Sequence, residues 1–195
     1  MHGGNCFSQR RRAGSVVRSP VGFTLIELLV TISVAAILIA LGTPSFIAIV
    51  NSNRLAAQSN EVVAALQLAR VEAVRQNRRA IVCGSTNGTT CNGVSTAWNT
   101  GWITFLDMDG NGAPAAAEVI RVSTVKAPLQ VRSGVASISF RSDGMAHDSA
   151  NDSLVNTTVT VCIPTARPVM NQRVVGLGSG SRISTASANG AGACP

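Results

Sequence analysis

The residues with the clearest chemical potential lie between positions 107 and 118. Asp107, Asp109 and Asn111, with glycines at 110 and 112 and Glu118 beyond them, match the spacing of a calcium loop of the EF-hand type. Carboxylates at that spacing can converge on one hard cation. Pro114 within the loop and strand-like segments on both sides favour the alternative, a hairpin turn in which Asp-Gly and Asn-Gly serve without metal. Catalysis finds little to work with. His2 and His147 are the only histidines, His147 falls in a Gly/Asp/Ser-rich stretch read as a loop, and no Gly-x-Ser-x-Gly or phosphate-cradling loop occurs. The sequence predicts neither an enzyme nor a cofactor.

Cysteine chemistry is the second candidate. Cys6 stands alone near the N-terminus, while Cys83, Cys91, Cys162 and Cys194 form an even set with no Cys-x-x-Cys spacing for a metal. Four cysteines allow three pairings. The favoured one joins Cys83 to Cys91 across a short Gly/Asn/Thr-rich loop and Cys162 to Cys194, pinning the C-terminal tail; free buried thiols are the alternative. Disulfides imply an oxidising compartment such as the bacterial periplasm. The third candidate is a basic patch of Arg167, Arg173 and Arg182, extended by Arg75, Arg78 and Arg79, that would meet phosphates. A solvated charged surface is the plainer reading. Trp98 and Trp102 fit a core or loop anchor better than a base-stacking platform.

These groups need a scaffold, and the composition shows two kinds. The chain of 195 residues is 46% hydrophobic and only 13% charged, and the apolar excess is local. From Val21 to Val50 the only ionisable residue is Glu27. The apolar run from Phe23 through Ile49 reaches the ~20 residues that span hydrocarbon. An ionisable residue inside such a span is costly, which makes Glu27 a functional candidate; snorkelling to the interface is the alternative. Residues 1–22 are basic and hold no apolar stretch of their own, unlike an ordinary secretory signal. Arg10, Arg11, Arg12 and Arg18 should keep that side in the cytoplasm. The formal charge is +7, but four of the 16 basic residues lie in this segment, and without it 12 basic residues face 9 acidic ones. That balance argues only weakly for a polyanionic partner.

The run Gly22-Phe23-Thr24-Leu25-Ile26-Glu27-Leu28-Leu29-Val30 closely resembles the class III signal of type IV pilins and type II secretion pseudopilins. The resemblance implies that a prepilin peptidase cuts between Gly22 and Phe23 and methylates the new Phe23 amine. Glu27 would then be neutralised by the amine of a neighbouring subunit, setting the register of helices in a filament. Gly42 and Pro44 interrupt the helical pattern, and the resemblance suggests a segment that melts or bends on packing. A simple kink is the alternative, since proline removes one backbone bond.

After Pro44, Leu55, Val62, Leu66, Ala69, Ala73 and Val74 recur at helical spacing with charges between them. A helix from Phe23 to about Asn77 would be about 80 Å long. Beyond residue 79 short β-branched runs follow: 80–83, 102–106, 118–122, 129–131, 137–140, 158–162 and 172–177. They predict six or seven strands in one antiparallel sheet or a pair of sheets. The small-residue tail from Gly178 to Ala193 would be mobile unless Cys194 ties it down. The expected organisation is a cleaved leader at 1–22, a transmembrane helix half at 23–50, an amphipathic half at 51–79 and a β-rich head at 80–195. This is an α+β chain in which the C-terminal half of a membrane-spanning helix packs on an antiparallel β-sheet head.

Cys83, the polar loop to Cys91, Trp98, the run Gly101-Trp102-Ile103-Thr104-Phe105-Leu106-Asp107 and the Asp109–Gly112 turn look like FimT/FimU-type minor pilins and GspH-type pseudopilins. The resemblance implies a minor pilin that helps assemble a type IV pilus near its tip, with a type II secretion pseudopilin as the alternative. Its partners would be the inner membrane, the peptidase and other major and minor pilins, with the head first in the periplasm and then in the filament. FimT-type proteins imply a third role, DNA uptake, through a C-terminal Gly-Arg-x-Arg motif. Here Gly180-Ser181-Arg182-Ile183-Ser184 keeps one arginine of it.

Overall fold

The computed structural model describes residues 22–149, 152–178 and 180–195. The leader arginines and Cys6 lie outside the described residues. The chain divides into two compact units, Met1–Ala40 and Leu41–Pro195. Helix α1 runs over Leu25–Gln76. Its start follows from Thr24, whose Oγ1 accepts a hydrogen bond from the Glu27 N–H at 3.2 Å, an N-cap that satisfies one of the orphan donors of the first turn. Its end follows from Asn77, which takes a left-handed φ of 51°. Asn77 N–H then bonds Val74 O, and Arg78 N–H bonds Ala73 O, the two contacts of a Schellman motif. The backbone stays helical through Gly42 and Pro44, so the expected interruption is not a break between helices. Proline deletes one donor but its φ is helical, and the turns on either side carry the segment.

In the second unit the strands are β1 (Arg79–Gly84), β2 (Gly101–Asp107), β3 (Val119–Thr124), β4 (Gln130–Ser133), β5 (Ser137–Phe140), β6 (Ala146–Asp148), β7 (Thr157–Cys162), β8 (Gln172–Gly178) and β9 (Arg182–Ala188). They form two sheets, ordered β3-β2-β1-β5-β6 and β4-β7-β8-β9. Every recorded pairing between these strands is antiparallel. Seven strands lie where the β-branched runs placed them. Two do not. His147 sits in β6, buried, instead of in a loop, because Ser139 on β5 gives it a register partner. The Ser/Ala-rich tail forms β9, paired with β8 over seven residues.

One core joins helix and sheets. Leu55, Val62, Leu66, Ala69 and Ala73 bury one stripe of α1 against Ala80, Val82, Trp102 and Phe140 of the first sheet and Val131, Val159, Val161 and Val175 of the second. Val74, assigned to that stripe from spacing, is exposed instead, because it falls one position past the buried arc ending at Ala73. Trp98 and Trp102 stack with ring centroids 5.9 Å apart, and the Trp98 indole N–H donates to Ala136 O at 3.0 Å. They are core anchors. A smaller cluster of Ile81, Cys83, Ile103 and Phe105 lies on the other face of the first sheet, with Cys91 and Val119 packed on it.

Gly101 shows how tight the sheet is. A Cβ there would lie 2.3 Å from Ser123 O on β3. Backbone, unlike a side-chain tip, cannot swing away. Gly101→Ala should therefore cost at least roughly 1–3 kcal/mol. Thermal unfolding of the two proteins checks this; an unchanged midpoint would mean that β2 and β3 can separate freely.

Candidate functional site

The N-terminal half of α1 presents apolar surface and almost nothing else. Phe23, Leu25, Ile26, Leu28, Leu29, Val30, Ile32, Val34, Ile37, Leu38 and Ile39 are all exposed, Phe23 by 82%. Among the described residues this is the one helix long and apolar enough to cross a membrane. Thr31 and Ser33 turn their hydroxyls back onto the helix. Thr31 Oγ1 donates to Leu28 O at 2.8 Å and Ser33 Oγ to Leu29 O at 2.7 Å, so neither hydroxyl asks for water. Gly22 and Phe23 precede the first turn and are exposed. The Glu27 carboxylate has no partner among the described residues. Thr24 was missed as a functional residue, although Thr24-Leu25-Ile26-Glu27 has the spacing of a capping box. Its hydroxyl fixes the turn that carries Glu27.

The acidic hairpin is held by the protein's own donors. One carboxylate oxygen each of Asp107, Asp109 and Glu118 lies within 4.8 Å of the others, and Asp107 and Glu118 are 2% and 5% exposed. Asp107 Oδ2 accepts from Arg79 Nη2 at 2.6 Å, and Asp107 Oδ1 from Gly112 N–H at 3.2 Å. Glu118 accepts from Met108 N–H at 2.8 Å and Ala115 N–H at 2.9 Å. Asp109 receives both the backbone N–H and the amide of Asn111. The geometry is that of a self-capped turn with Arg79 as the cation on Asp107. Arg79→Ala should destabilise the head by about 1–2 kcal/mol: it strands a buried carboxylate, but the arginine end is 43% exposed and screened. Denaturant unfolding measures this, and no change would show that the loop amides alone hold Asp107.

The three C-terminal arginines do not make one patch. Arg173 on β8 shares its face with buried Val175 and Leu177, and its Nη2 donates to Ser52 of α1 at 3.2 Å. Beside it, Arg167 O accepts from Asn51 Nδ2 at 3.1 Å. Arg182 pairs across from Gly178, on the opposite face and at the far end of the hairpin. Five residues of strand, about 17 Å, separate that pair from the Arg173 pair. The more N-terminal arginines are also engaged: Arg75 with Glu72, Arg78 with Met108 O and Arg79 with Asp107.

Disulfides join Cys83 to Cys91 and Cys162 to Cys194. The second ties the tail beside Asn171, which is fully buried. Asn171 Nδ2 donates to Ile163 O and Ala193 O at 3.0 and 3.1 Å, while its Oδ1 accepts from Gly190 N–H at 2.8 Å. One amide therefore clamps the C-terminal segment. Nothing in the local sequence marks it, since its partners lie 8 to 22 residues away.

A family model described as type II transport protein GspH matches residues 58–180, more than half of the chain. The structure is similar to the type IV minor pilin FimU of Pseudomonas aeruginosa, at 21% identity and a TM-score of 0.50, with 69% of this chain and 90% of that chain covered. It is also similar to the minor pseudopilin EpsH from the type 2 secretion system of Vibrio cholerae, at 11% identity and a TM-score of 0.49, with 69% of this chain and 97% of that one covered. No curated protein gives a significant sequence match. The long N-terminal helix and antiparallel sheets are a type IV pilin-like α+β fold.

Proposed function

Because the chain belongs to the GspH family of pilin-like proteins, we propose that it is a minor pilin that takes part in assembling a type IV pilus. The peptidase frees Phe23, the helix holds the protein in the inner membrane with its head in the periplasm, and the subunit then packs near the filament tip. The observation that carries this reading is the helix surface around Glu27. An apolar helix that no other described residue covers needs lipid or other helices. A carboxylate in that surface needs a cation, which the amine of a neighbour's Phe23 supplies. The two disulfides suit an oxidising periplasm. The Gly42–Pro44 segment is where the helix would melt or bend on packing.

A second reading, a pseudopilin of type II secretion, is favoured by the description of the matching family model. Deleting the protein separates the two. Loss of surface pili that can be sheared and counted, with secretion intact, supports the pilus; loss of secretion with normal pili supports the pseudopilus. Normal pili and normal secretion together would reject both.

A further inference from the structure

The two sheets have four edges, and three of them are blunted against another strand. On the first sheet, β3 carries a register shift against Thr104/Phe105, and its Arg121 turns to Glu61 on α1. Strand β6 is three residues long and meets Leu154 in an isolated bridge. On the second sheet, β4 is four residues long and contains Arg132. Short strands, bulges and charges are the usual defences of a sheet edge.

The fourth edge, β9, is seven residues long, and its one charge, Arg182, stands at its first position. It pairs with β8 residue for residue over seven positions without a bulge. From Ile183 to Pro195 the sequence holds no charged residue, and no proline until the last position. Ser184 and Ala186 are exposed on one face of the strand, and Thr185 and Ser187 on the other, so the strand overhangs the core. Apart from Arg182, its side chains are Ile, Ser, Thr and Ala, and none of them obstructs the approach of another backbone. Arg182 alone is cationic and has no ion-pair partner among the described residues.

We propose that the free edge of β9 accepts an extended strand from a neighbouring pilin-fold subunit. This rests on the filament reading above and names the contact that the head would make. The added strand runs antiparallel, carries small or β-branched uncharged side chains, and places an acidic residue near its C-terminal end, opposite Arg182. Main-chain hydrogen bonds supply the affinity and the Arg182 pair fixes the register. A seven-residue strand pair buries far less than the about 1,000 Å² of a stand-alone interface. The contact therefore acts between subunits already anchored side by side, where effective concentration is high.

The test uses the full chain expressed in its own cells, with the photocrosslinker benzoylphenylalanine placed singly at Ser184, Thr185, Ser187 and, as a control two strands away, Thr158. An added strand lies in the plane of the sheet, so adducts with another pilin-fold subunit are expected from both faces, at Thr185 and Ser187 as well as Ser184, and not at Thr158. The variant Ser184→Lys with Ala186→Lys should lower the protein in sheared filaments at least tenfold without changing its thermal midpoint. Adducts only at Ser184 and Thr158 would mean docking on the sheet face and overturn the proposal. Incorporation into filaments with no adduct at Thr185 or Ser187 also overturns it and leaves the filament reading standing. A chain absent from pili and pseudopili alike overturns both.

Discussion

Glu27→Ala should cut incorporation into filaments roughly tenfold or more, equivalent to at least about 1.4 kcal/mol, while the protein still folds and enters the membrane. The reason lies in what Glu27 does not touch. The helix residues of the core are Leu55, Val62, Leu66, Ala69 and Ala73, far along the chain from Glu27. Its carboxylate has no partner among the described residues, so no contact seen there is lost with it. Removing a carboxylate from an apolar span does not impede insertion, because the charged group is a cost to the span and not a support for it. Any loss must then arise between subunits. Comparing the sheared and membrane fractions by immunoblot measures it, with the thermal midpoint as control. Glu27→Gln, which keeps the shape and loses the charge, should fail as Glu27→Ala does. Normal incorporation of either variant would reject pairing with a neighbour's amine and leave Glu27 as a group that snorkels to the interface.

The second large effect is on the head. Replacing Cys162 and Cys194 together by serine should destabilise it by about 3.7 kcal/mol, because the bond closes 32 residues of chain in the unfolded state. Replacing Cys83 and Cys91 should cost less, about 2.5 kcal/mol, since that loop spans only 8 residues. For a head of this size the first change lowers the thermal midpoint by roughly 7–15 °C. It should also free the tail from the Asn171 clamp. Hydrogen exchange across residues 189–195 should then speed up far more than exchange in β1 and β2. Equal midpoints for the two double variants would show that residual structure in the unfolded chain, and not loop length, governs their contribution.

Calcium and polyanion readings meet a common obstacle in this structure. Asp107, the most buried of the hairpin carboxylates, already holds Arg79. Arg173 is turned to Ser52 on the helix side of its sheet, while Arg182 faces the other way. Residue types alone suggested a ligand loop and a basic patch. Pairing partners and strand parity divide the same residues among structural tasks.

Elements whose signal is local and strong can be read from residue order alone. The apolar run from Phe23 with its single carboxylate, the recurrence of Leu55, Val62, Leu66, Ala69 and Ala73 at three, four or seven residues, and seven β-branched runs each announce their element, because side-chain periodicity follows directly from backbone geometry. The cysteine pairing was legible as one of three choices. Tertiary structure alone decided the rest. β9 has Ile183 as its one large apolar residue among Arg182 and small Ser, Thr and Ala, too weak a pattern to mark a strand, and it is a strand because β8 offers seven register partners and Cys194 holds the tail behind it. His147 became sheet for the same reason on a smaller scale. Asn171 became a clamp because three distant backbone groups converge on one buried amide. Contacts between residues far apart in the chain leave no periodic trace in it, so their outcome is fixed only when the sheets close over the helix.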